Sequence, residues 1–200
     1  MVLSKPRGRS REKPKIRPDD GKLAELILLI CDKSQDDPAF GALKLNKLLF
    51  HCDFSAYLTY GTPITGQEYF ALPKGPAPKR LIPVTKKMQA KGELGYKQIE
   101  YYGHFQKRPI ALRPANVDVF TAKQINLIDE IIRKYKGLNA TEISERSHLF
   151  LGWKVAAERR ETIPYSTALV SRRKATPEER ERGLELENAA LNVLRRHSHG

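Results

Sequence analysis

A chain of 200 residues, 40% hydrophobic and 30% charged, suits one domain with a real core and is too apolar to be disordered throughout. Its net charge of +13 admits acidic or nucleic-acid partners, but half the surplus sits in residues 1–18, where seven Lys/Arg face a single Glu. Two cysteines without CxxC spacing exclude a disulfide framework, and the longest apolar run, Leu26 to Cys31, is far short of the about 20 residues that span a bilayer.

The basic start lacks the apolar stretch of a signal peptide, so a cytoplasmic protein is expected. Its organisation reads as a disordered basic arm over 1–18, a single domain over 19–170, and a linker with a C-terminal helix over 171–200. The first helix should follow Asp20, with Leu23, Leu26, Ile27, Ile30 and Cys31 on one face. Pro38 breaks the loop after it. A second helix is expected from about Leu43 to Tyr60, with Gly61 just past its end.

Gln67 to Leu72 suits a strand, and Pro73, Gly75, Pro76 and Pro78 then force a turn. A third helix over about 79–91 carries Pro83 in its first turns. Tyr96, Ile99, Tyr101 and Tyr102, then Ile110 and Leu112, alternate around a polar connection near Gly103, as in two antiparallel strands. Thr121 with Gln124 makes a capping box for a helix to Tyr135, striped by Ile125, Ile128, Ile131 and Ile132. Asn139 with Glu142 makes another, opening a helix that runs toward Trp153. Thr176, Pro177 and Glu179 signal the start of the last helix. The expected class is α+β, mainly helical, with helices packed around a small antiparallel sheet or hairpin.

His51, Cys52 and Asp53 are adjacent and raise the question of a thiol or metal site. Consecutive helical side chains fan about 100° apart, so three in a row do not converge, and Cys52 falls on the leucine stripe as a packed thiol. His148, beside Ser147 and near Trp153, reads as a histidine hydrogen-bonded in an interhelical seam. Asp129 and Glu130 read as a solvated helix face. There is no GxGxxG, Walker loop, HExxH or GxSxG. No catalytic, cofactor or metal residue is therefore assigned.

Aromatic and basic residues interleave at Tyr69, Phe70, Lys74, Lys79 and Arg80, and again at Tyr96, Tyr101, Tyr102, His104, Phe105, Lys107 and Arg108. Such patches suit interface anchors or nucleic acid. Tyr69, Phe70, Lys74, Pro76, Lys79, Arg80, Tyr101, Tyr102 and His104 are the candidate partner-contacting residues.

The run KLNKLLFHCDF, followed by YGTPITGQEYFALPKGPAP, resembles the Panacea family, the SocA-like antitoxin domain of bacterial and phage toxin–antitoxin systems. The resemblance rests on Lys44, Leu45, Lys47, Leu48 and Leu49 at a helix start and on Tyr57 and Tyr60 at its end. Gly75 and Pro76 make the turn, and Ser147, His148 and Trp153 follow. It covers about residues 20–165. It implies a structural role for those motif residues and a non-enzymatic protein that binds a partner toxin and holds it inactive.

The basic arm lies outside that pattern and leaves room for weak nucleic-acid contact. A second expectation is a winged helix that binds DNA, with Lys79, Arg80, Lys86 and Lys87 on a recognition helix and residues 95–113 as the wing. A third is an enzyme built on His148 and Cys52.

Overall fold

The computed structural model describes residues 16–159, 161–170 and 176–197; the basic arm before residue 16 lies outside them. The chain divides into two compact units, Met1–Leu169 and Val170–Gly200. The first contains helices α1 (Asp20–Lys33), α2 (Ala42–Tyr60), α3 (Leu81–Ala90), α4 (Ala122–Tyr135), α5 (Ala140–His148) and α6 (Leu151–Arg159). Its strands are β1 (Tyr69–Leu72), β2 (Gly75–Pro78), β3 (Leu94–Tyr101) and β4 (His104–Ala111). The second contains α7 (Pro177–His197), opening at Pro177 as its start signal predicts. The protein is thus mainly helical α+β, with two separate antiparallel hairpins rather than one small sheet. Among the described residues no helix is long and apolar enough to cross a membrane.

α1 is buried on every side from Leu26 to Cys31, not along one stripe. It is the central helix, ringed by α2, α3, α4 and β4, and a helix apolar all round belongs in such a position. Residues 16–18, expected in the loose arm, lie against the loop before β1: a Cβ on Gly66 would collide with the Arg17 carbonyl oxygen.

α2 serves two cores. Leu45, Leu48, Leu49, Cys52 and Ala56 join the main cluster, while Phe50 and Phe54 enter a second one with Tyr69, Ala156 and Ile163. Gly61 ends the helix at φ 75°, donating its N–H to the Tyr57 carbonyl. β3 and β4 meet through a two-residue turn in which Tyr102 and Gly103 both have positive φ, 48° and 73°. Both expected capping boxes form, at Thr121 with Gln124 and Asn139 with Glu142.

Three local expectations need correction. The proline-rich stretch after β1 makes a strand, β2, in register with β1, not merely a turn. The helix from Asn139 does not run to Trp153: it stops at His148 and restarts at Leu151. Asp129 is not simply solvated, since its carboxylate lies 2.8 Å from Lys33 Nζ.

Candidate partner-binding surface

The fold first decides which charged residues are inside. Lys44 and Lys47, in the first turns of α2, are each about 1% exposed. Lys44 Nζ lies 2.5 Å from Asp37 Oδ2 and donates to the Leu138 carbonyl at 2.7 Å, while Asp37 Oδ1 accepts from the Ala39 N–H. This is a buried ion pair in which each charge also has a backbone partner. Among the described residues no carboxylate pairs with Lys47; its Cε and Nζ fill the space beside Gly75, where a Cβ would meet them at 2.7 and 2.9 Å. Gly75 has φ 97°, so the β1–β2 turn requires glycine twice over, by backbone and by this lysine.

Burial holds the Lys47 ammonium down to about 8, against an ordinary 10.5. Between those values the unfolded chain carries a proton that the folded chain lacks, so stability rises with pH across that window. Lys47→Met is expected to stabilise the protein at neutral pH by up to about 3 kcal/mol and to remove that alkaline rise. Urea melts from neutral pH to about 10 check both; an unchanged rise in the variant would assign it to another group.

His51, Cys52 and Asp53 diverge as helical geometry demands. Cys52 is in the main core, and burial keeps its thiol well above the usual range. Burial, reinforced by Lys134, Lys47 and Arg146, pushes the His51 imidazole down to about 3; its ring stacks on Tyr135 at 4.4 Å. Asp53 faces the second core, where its carboxylate accepts from the Thr65 N–H at 2.6 Å, the Thr65 hydroxyl and the Tyr69 hydroxyl at 2.8 Å. Desolvation raises its pKa against those donors. His148 is stacked on Trp153 at 4.0 Å, with Nε2 buried and without a hydrogen-bond partner among the described residues. Trp153 Nε1 donates to the Leu72 carbonyl at 3.2 Å, which pins α6 to β1.

Tyr69 and Pro76, expected at the partner surface, are interior residues: Tyr69 is fully buried under Phe50 and Phe54, and all of β2 is buried. Strand alternation sends Tyr69 inward and Phe70 outward. Phe70 is exposed, with Lys79 Nζ 5.5 Å above its ring, but Lys79 is also held by Glu68. Arg80 is tied at 2.7 Å to Asp20, in the first turn of α1.

Lys74, Tyr102 and His104 remain exposed, Tyr101 partly so, and the structure adds Phe105 and Lys107 to them. Tyr102 is 86% and Phe105 75% exposed. Three of these, Lys74, Phe105 and Lys107, come together although Lys74 lies in the β1–β2 turn and the other two on β4. Lys74, Phe105 and Lys107 line one groove of about 340 Å³ with Leu43, Ala42 and Ala140. The hairpin is fixed by Arg108, which donates to the carbonyls of Ser34, Gln35 and Asp37, and by Gln106, which donates to that of Pro38.

With this geometry in place, comparison with known proteins gives one match. The family model described as "Antitoxin SocA-like, Panacea domain" matches residues 45–154, a span running from just after Lys44 to just after Trp153. Neither the curated proteins nor the solved structures hold a match to the chain.

Proposed function

Because the chain belongs to the SocA-like antitoxin, Panacea domain family, we propose that it binds a partner toxin protein and holds it inactive, as one half of a bacterial or phage toxin–antitoxin pair. The family match over residues 45–154 carries this reading. Neutralisation by binding needs a rigid frame that presents coverable anchors, not a site for bond-breaking. The β3–β4 hairpin, tied by Arg108 to the 34–37 segment that the Lys44–Asp37 pair anchors, is such a frame, and Tyr102 and Phe105 are such anchors. Cys52 and His148, the residues an enzyme would draw on, are committed to packing.

Expression of the product of the adjacent open reading frame is expected to arrest growth, and co-expression of this chain to restore it, with the two proteins co-purifying. A neighbour that neither arrests growth nor binds would overturn the reading. The winged-helix alternative draws less support: residues 61–80 separate α2 from α3 and contain a hairpin, where a helix-turn-helix wants a turn of 3–4 residues. Two of its four recognition-helix cations, Lys79 and Arg80, are already paired with Glu68 and Asp20.

A further inference from the structure

The groove between the start of α2 and the β3–β4 hairpin points to the chemistry of what fills it. We infer that an acidic segment of the partner protein, carrying an apolar side chain, lies in this groove, with its carboxylates on Lys74 and Lys107 and its apolar group against Phe105 and Leu43; this rests on the antitoxin reading above.

Charge is the first argument. None of the residues lining the groove is acidic, and of its three lysines only Lys44 is spent on an ion pair among the described residues. Lys107 is held over the Tyr96 ring at 4.0 Å, which fixes a cation without neutralising it. The helix entering the groove wall adds to this sign, since α2 begins at Gly41 with no side-chain cap and no acid in its first turn.

Apolar exposure is the second. Phe105 and Leu43 line the groove and are 75% and 41% exposed, whereas phenylalanine and leucine normally find cover. The hairpin tip adds a third observation. Tyr102 adopts the left-handed conformation at φ 48°, where Asn, Asp or Gly is favoured; the residue is 86% exposed and its ring meets the Tyr101 ring edge-on at 4.7 Å, outside either core. An aromatic at a strained, solvent-facing tip is accounted for by what it meets outside the molecule. Two lysines over a floor of Ala42 and Ala140 suit carboxylates and a side chain better than a nucleic-acid backbone, which takes rows of cations.

The test uses the product of the adjacent open reading frame as probe, titrated against the full chain, Lys74→Glu/Lys107→Glu and Phe105→Ser. All three sites are exposed, so unchanged melting temperatures are expected. Each variant is expected to lose about tenfold or more in affinity, and the wild-type affinity to fall with added salt while that of the charge-reversed chain does not. Equal binding by wild type and both variants would overturn the groove and leave the antitoxin reading standing. A probe that does not bind wild type would overturn both. Loss of DNA retention without loss of the protein partner would replace the acidic segment by phosphates and sink the inference.

Discussion

Asp53→Ala is expected to destabilise the protein by about 3 kcal/mol, because the Thr65 N–H and hydroxyl lose their acceptor at once in a buried site, while the Tyr69 hydroxyl keeps the Leu49 carbonyl at 3.0 Å. The Thr65 N–H, the Thr65 hydroxyl and the Tyr69 hydroxyl all converge on this carboxylate, and Asp53, Thr65 and Tyr69 are each 1% exposed or less. The cost of leaving buried donors unpaired, about 1–3 kcal/mol each, outweighs what is gained by no longer burying a carboxylate. Asp53→Asn is expected to cost only about 1 kcal/mol, since the amide oxygen still accepts and either hydroxyl can turn to accept from the amide nitrogen.

The pH dependence separates the two roles of this residue. Burial raises the Asp53 pKa above its ordinary 3.8, so between that value and the folded one the folded chain holds the extra proton. Stability contributed in acid is therefore lost as pH rises through the folded pKa. Asparagine does not titrate, so the deficit of Asp53→Asn is expected to be largest in acid and to shrink toward neutral pH. Urea melts of both variants check this; an alanine variant within about 1 kcal/mol of wild type would show that the donors find other partners.

What the sequence disclosed followed from local rules. α2, the β3–β4 hairpin and both capping boxes are written in periodicity and in side chains a few residues apart, and each formed as read. Non-local facts stayed hidden. Lys44 and Lys47 look like solvated charges on a helix, and only the fold brings Asp37 and Gly75 to them. Nothing in SHLFLGW marks a helix break, for it holds no proline and its glycine comes after the break. The break arises because Ile143 packs into the main core while Phe150 must reach Phe50 and Phe54, at 5.3 and 5.4 Å, in the second. The surface was half legible for the same reason. Lys74 and Phe105 were recognisable as candidate types of residue, but their meeting in one groove depends on two hairpins separated by α3.

The ion pair beneath that groove gives the other large expected effect. Lys44→Ala and Asp37→Ala are each expected to cost about 3–5 kcal/mol, because either leaves a charge in the interior without its counter-charge. The double change Lys44→Ala/Asp37→Ala is expected to cost less than the sum of the two, since it removes both charges and leaves only the Leu138 carbonyl and the Ala39 N–H to be satisfied. Thermal and urea melts of the four proteins measure the coupling; additive losses would mean that the two charges are solvated independently. The pair also acts on the surface at one remove. Asp37 belongs to the 34–38 segment whose carbonyls receive Arg108 and Gln106, so loosening it releases the hairpin that carries Phe105 and Lys107. Lys44→Ala should then weaken the grip on the partner together with the melting temperature, whereas Lys74→Glu/Lys107→Glu weakens the grip alone. That difference separates residues that touch the partner from residues that hold the surface in place.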